Sequence, residues 1–365
     1  MKNILYASLV LLGFGALIWG IGALYLYLFH SGYSIFHIIW MTIQFLFYLY
    51  ITQWIHVVIH ETGHLVFGLL SGYRFLSFRI MSFMWIRKDY HLCLKRYRLN
   101  GTGGQCLMAP PDFQNNHMPF VLYQLGGCLM NIIFAMIGCA IAIFSSSFNL
   151  FLLAFIIMGV LTALVNGVPM QIEDVDNDGY FRRTLIKFSE TQKDLWLNLK
   201  EEEISVQNIR LKDMPDAWFE NINTENLEHS IRVSSVVLYY QRLMDQHDFQ
   251  TAYIIIKQLL NDNVAITKIQ RNILLCDAFY CQMVFHQLDQ AIAYYQSLDN
   301  DFQKRIQTFL VGLRTVYIYK KIIEKNGEAT KFKQKLCSYK ANYPYPIEIE
   351  MHEDLMDFIE YDVYG

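Results

Sequence analysis

Four long apolar runs, nearly free of charge, limit what this chain can fold into more than any other feature. Residues 4–29, 119–144 and 148–168 contain no Asp, Glu, Lys or Arg, and residues 35–73 contain only Glu61. About 20 apolar residues suffice for a helix to cross the hydrocarbon core of a bilayer, so each run predicts a transmembrane helix. The first run exceeds the roughly 7–15 residues of a signal-peptide core and no A-x-A-like site follows it, so a retained anchor is expected. Basic residues set the expected orientation. The stretch 73–118 carries Arg74, Arg79, Arg87, Lys88, Lys95, Arg96 and Arg98 against Asp89 and Asp112, whereas the links 30–34 and 145–149 carry no Lys or Arg. Lys and Arg collect on the cytoplasmic side. The expected topology is therefore four crossings in a cell membrane, with both termini cytoplasmic.

The formal net charge of -3 is small and dispersed, which argues against a nucleic-acid partner. Seven cysteines occur and none forms a CxxC pair, so reduced, mostly buried thiols are expected.

The single acid in the second run belongs to His60-Glu61-Thr62-Gly63-His64, an HExxH pattern. Residues i and i+4 share one helix face, so His60 and His64 can reach one Zn²⁺, with Glu61 beside it as general base. Zinc lowers the pKa of a bound water to about 7, and the carboxylate takes its proton as it attacks a carbonyl. A chain of this length shows the pattern by accident in roughly 2% of cases, so its placement matters. Ionisable residues inside a membrane span are costly and usually functional. His56, one turn earlier, reads as a packing histidine ahead of a group that supports the ligands.

A hydrolytic zinc site needs a third protein ligand. The candidates follow the fourth run, where Asn166-Gly167-Val168-Pro169 leads into Glu173, Asp174, Asp176 and Asp178, with Gly179 next. Pro169 ends the helix. A solvated acidic loop accounts for Glu173 and Asp176, less well for the whole set. Asn131 and Asn166 lie within apolar runs, where an amide can bind substrate backbone or an oxyanion, or bond a neighbouring helix.

Over Trp54–Gly179 the chain resembles the site-2 proteases, a family of intramembrane zinc metalloproteases. HETGH matches the family's HExxH, and Asn166-x-x-Pro169 followed by Asp-Gly matches its N-x-x-P…D-G element, whose Asp is the third zinc ligand. The family spacing of five residues after Pro points to Asp174, whereas the Asp-Gly pair is Asp178-Gly179. Asp178 is favoured because Gly179 supplies a turn, with Asp174 as the alternative. Residues 75–108 alternate apolar and polar up to Gly103-Gly104-Gln105 and read as a β-hairpin. The family has a membrane-associated β-element there, whose edge can pair with an unwound substrate strand. Gly126-Gly127 followed by Asn131 stands where the family has Gly-Pro and then Asn; the two glycines read first as close helix packing.

Beyond Phe181 the composition becomes mixed and helical in period, dividing the chain into a membrane metalloprotease domain at 1–180 and an α-helical domain at 181–365. His247-Asp248-Phe249-Gln250-Thr251-Ala252 and His286-Gln287-Leu288-Asp289-Gln290-Ala291 form a faint repeat. It resembles a tetratricopeptide-type array of longer spacing. Such hairpins stack and present a surface to a cytoplasmic protein partner. The expected fold class is thus an α-helical polytopic membrane protein with a membrane-associated β-hairpin and a repeat-like cytoplasmic domain. The expected activity is cleavage of a membrane-embedded or membrane-associated protein or peptide at the bilayer. The rival expectation is a catalytically silent membrane adaptor that presents the repeats.

Overall fold

The apolar runs become helices because nothing within them offers the backbone a better partner than its own carbonyls. The computed structural model describes residues 2–29, 34–88, 91–97, 103–113, 117–145, 149–172, 175–220, 222, 224–225, 227–261 and 263–365. Helices α1 (Lys2–Phe29), α2 (Ile35–Leu70), α3 (Val121–Phe144) and α4 (Leu150–Gly167) are long and apolar enough to cross a membrane. Their outward faces expose large apolar side chains such as Leu17, Ile21, Phe36, Trp40, Ile143 and Phe144. Contiguous apolar surface of this kind demands a cover other than water.

The chain divides into two compact units, residues 1–86 with 98–187, and residues 87–97 with 188–365. In the first, α2, α3 and α4 pack on one another, and α1 packs on α2 and α4. Trp19 of α1 stacks on Phe45 of α2 at 4.7 Å, and its Nε1 donates to Oγ1 of Thr42. Glycine governs the α2–α3 crossing. A Cβ on Gly63 would lie 2.2 Å from the carbonyl oxygen of Gly126, and one on Gly126 would lie 2.5 Å from that of Gly63.

Just past the end of helix α2, Gly72 closes it with a φ of 85°, open to glycine at no cost. Tyr73 N–H bonds the Gly68 carbonyl and Gly72 N–H bonds that of Leu69, a Schellman closure. The next stretch differs from the expected hairpin. It forms β1 (Arg74–Ile80), β2 (Phe83–Lys88), β3 (His91–Arg96) and β4 (Gly104–Ala109), ordered β3-β2-β1-β4 in an antiparallel sheet. A reversal at Met81, held at φ 53°, splits the alternating run, and Gly104 opens the last strand rather than closing a hairpin.

After α4 the short strands β5 (Gln171–Ile172) and β6 (Val175–Asp176) pair, and α5 (Asp178–Lys187) follows. The second unit is helical, from α6 (Thr191–Val206) and α7 (Asp216–Phe219) through the hairpins α8 (Ser230–Asp245)–α9 (Phe249–Leu259) and α10 (Lys268–Val284)–α11 (Leu288–Gln296). It continues through α12 (Asn300–Gln303), α13 (Leu310–Ile318) and α14 (Thr330–Ser338) to α15 (Pro346–Asp357). The spacing of the sequence pair His247 and His286 recurs in the backbone. Asn208, His247, His286 and Lys325 all have positive φ and stand 39 residues apart. Asn208, His247 and His286 each lie two residues beyond the end of a helix, α6, α8 and α10 in turn.

Gly126→Ala, which drives a methyl group into the α2 backbone, is expected to lower the melting temperature of the detergent-solubilised chain. Gly22→Ala, with nothing within 4 Å of the added carbon, is expected to leave it unchanged.

In the helical unit, burial pushes the Glu348 carboxyl up to about 7, opposed by the Tyr343 hydroxyl and aided by Glu202. The folded chain then keeps a proton that the unfolded chain loses near 4.5. Stability from this group is full below that value and is lost as pH rises through about 7. Glu348→Gln is expected to flatten the decline in melting temperature between about pH 5 and pH 8, measured on the full-length chain.

Candidate metal centre

His60 and His64 lie on one face of α2, ten residues and six residues from its end, and both are buried. Nδ1 of His64 lies 2.7 Å from the carbonyl oxygen of Tyr123. A carbonyl only accepts, so Nδ1 carries the proton and Nε2 presents a lone pair. The His60 side is set by two buried neighbours. The Asn131 amide oxygen is placed 3.0 Å from Nδ1 of His56 and its nitrogen 3.2 Å from Nδ1 of His60, while Nε2 of His56 is 2.8 Å from the carbonyl oxygen of Phe155.

The two ends of an amide are alike in shape, so the proton inventory decides which is which. Phe155 requires a proton on Nε2 of a neutral His56, whose Nδ1 must then accept from the amide nitrogen. With the two ends of the amide exchanged accordingly, its oxygen faces His60 and accepts from its Nδ1–H. His60 is left, like His64, with its Nε2 lone pair directed inward. This is the tautomer a metal-binding imidazole adopts, fixed by the partner on its other nitrogen.

Asp178 meets them from the first turn of α5. Its Oδ2 lies 2.9 Å from Nε2 of His60 and 3.4 Å from Nε2 of His64, and the two Nε2 atoms are 3.2 Å apart. A proton on either Nε2 would outweigh the cost of burying the Asp178 charge and hold its carboxyl well below the ordinary Asp value. Three lone-pair atoms so placed need a cation between them, either an extra proton on a ring or a metal ion. Bonds of about 2.0–2.1 Å in a tetrahedral arrangement separate ligand atoms by about 3.3 Å, so the triangle fits zinc.

The expected turn at Asp178-Gly179 is instead the start of a helix. Gly179 serves by size: a Cβ there would meet the Gly167 carbonyl oxygen at 2.4 Å, so only glycine lets α5 lie against the end of α4. Asn177, unremarked in the sequence, holds the junction. Its Nδ2 donates to the carbonyls of Val165 and Val168, and its Oδ1 accepts from the backbone N–H of Met170 and Tyr180. The signal was present, since Asn directly before Asp-Gly-Tyr is a helix N-cap. Asp174, the alternative ligand, lies outside the described residues.

Glu61 packs against β4, where a Cβ on Gly104 would meet its Oε1 at 2.7 Å. Arg79, fully buried, donates to the carbonyl oxygens of Met81 and Gly104 and brings a cation to the same edge. A Cβ on Gly127 would meet Nε2 of His60 at 2.4 Å, so this glycine makes room for the His60 ring in addition to helix packing. Asn166, by contrast, bonds the Thr162 carbonyl of its own helix at 2.9 Å. The structure thus gathers His60, His64, Asp178 and Asn131, with His56 behind them, and turns the Asn166 amide elsewhere.

A family model described as peptidase family M50 matches residues 46–332. No curated protein and no solved structure matches the chain.

Asn131→Leu removes the acceptor for His60 Nδ1–H, and a loss of roughly 10–100-fold in metal affinity is expected by competitive chelation. Asn177→Ala is expected to cost about 1 kcal/mol of stability and to weaken metal binding through the displaced Asp178. Unchanged affinity in both variants would detach these residues from the centre.

Proposed function

The chain belongs to peptidase family M50, the site-2 protease family, and from that premise we propose that it is an intramembrane zinc metalloendopeptidase acting on membrane-embedded or membrane-associated proteins or peptides. The observation that carries this reading is the convergence of Nε2 of His60, Nε2 of His64 and Oδ2 of Asp178, each within 3.4 Å of the others. Zinc held there supplies a Lewis acid that acidifies water to a pKa of about 7 and polarises the scissile carbonyl.

The residues around it divide the remaining work. Glu61 takes the proton of the attacking water and returns it to the leaving amine. Asn131 and His56 hold His60 in its ligand tautomer, and the Tyr123 carbonyl does the same for His64. Asn131 is so engaged by the two imidazoles that it serves as a ligand support ahead of an oxyanion donor. β4 is an outer strand of the sheet and bears Gly104 against Glu61. An unwound substrate strand added along β4 would bring a peptide carbonyl beside the general base.

The basic residues between α2 and α3 support an orientation in which α1–α4 cross a cell membrane and that region and both termini face the cytoplasm. The helical unit would then face a cytoplasmic protein partner. A silent adaptor is the competing reading, and chemistry separates the two.

Glu61→Gln is expected to retain one zinc per chain and lose cleavage of a membrane peptide in vesicles. Asp178→Ala is expected to lose both metal and activity, with Asp174→Ala milder. Zinc-free wild-type protein, or a Glu61→Gln variant with near-normal turnover, sinks the proposal. Metal lost from Asp174→Ala but kept in Asp178→Ala reverses the third ligand.

A further inference from the structure

One buried thiol faces the metal centre instead of lipid or an apolar core. Sγ of Cys128 lies with the ligand atoms of His60 and Asp178 in a group whose members are all within 4.8 Å of one another. Its side chain is buried, at 8% exposure. The residue sits on α3 beside Gly127, on which the His60 ring rests, and one helical turn before Asn131, which fixes that ring. On its other side is Gly167, where an added Cβ would lie 3.4 Å from the sulfur. Small residues on both flanks leave the thiol room to turn. A buried cysteine usually acts as a small apolar filler, but an anionic carboxylate and an imidazole lone pair are poor company for one.

We propose that Cys128 is a fourth, displaceable ligand of the metal, whose thiolate closes the open position when no substrate is bound. This rests on the metalloprotease reading. Zinc–sulfur bonds of about 2.3 Å and zinc–nitrogen bonds of about 2.0–2.1 Å set sulfur about 3.6 Å from its fellow ligands. Relative to His60 and Asp178, with which it already lies within 4.8 Å, Sγ needs a displacement of about 1 Å, the scale of a side-chain rotation. Ligation replaces the S–H bond with a sulfur–metal bond and releases the proton to water. When substrate enters, the thiolate recovers a proton from water and swings away, so nothing is oxidised or reduced. The thiol therefore guards the metal without consuming it.

Zinc K-edge absorption of the full-length, zinc-loaded chain tests this directly. The expected result is one sulfur at about 2.3 Å beside nitrogen and oxygen ligands, absent in Cys128→Ser at unchanged zinc content and present in Cys106→Ser. A second measurement uses the wild-type chain alone. Acetohydroxamate added to the cobalt-substituted protein is expected to abolish the thiolate-to-cobalt charge-transfer band while cobalt stays bound. A wild-type centre with nitrogen and oxygen ligands only overturns the role of Cys128 and leaves the metalloprotease reading standing. Sulfur that persists in Cys128→Ser also overturns it. A chain that takes up no metal overturns both.

Discussion

Everything at the candidate metal centre depends on how closely α2 and α3 approach. Gly63 lies between the two histidines in sequence, and its backbone faces that of Gly126 at a distance no side chain tolerates. Moving α3 out by the width of one methyl group would withdraw the Tyr123 carbonyl from His64 and the Asn131 amide from His60 together. The glycines thus do more than permit helix packing. They set the distance at which backbone and amide groups of one helix can fix the protonation of imidazoles on another.

That coupling matters because the surroundings offer little water. In an apolar setting an unpaired polar group costs several kcal/mol, so a buried histidine must find partners within the protein. The series Phe155 carbonyl, His56, Asn131, His60 satisfies each member in turn and leaves one lone pair at its end. The series through Tyr123 and His64 ends the same way. Two lone pairs and a carboxylate then face a common point, an arrangement that is unfavourable unless a cation joins it.

Much of this was legible in the sequence, for definite reasons. HETGH and the apolar runs are local patterns, and helical geometry alone puts His60 and His64 on one face. The partners of those histidines come from other helices, so His56 read as a packing residue until Asn131 and Phe155 were beside it. Cys128 passed as one of several reduced thiols for the same reason. Alternation marks strands but not the reversal at Met81, a residue with no turn preference, so the pattern alone suggests one hairpin where the chain forms a four-stranded sheet. In the helical unit, His247 and His286 showed the repeat because their neighbours also match. Asn208 and Lys325 share only the backbone conformation, which residue identity does not report.

The candidate third ligand shows how the structural reason for a residue's placement can differ from the one its sequence suggests. Asp178 was favoured over Asp174 because glycine after it would allow a turn, yet the backbone there is helical. What places the carboxylate is the start of α5. Asn177 caps that helix and ties it to the last carbonyls of α4, and Gly179 lets the two helices touch. An acid in the first turn is also favoured by the helix dipole, which stabilises its charge before any cation is present. A loop acid would have to be ordered by the metal it binds. An acid fixed by a cap and a glycine contact is ordered beforehand, and the entropy of ordering it is then not charged against binding.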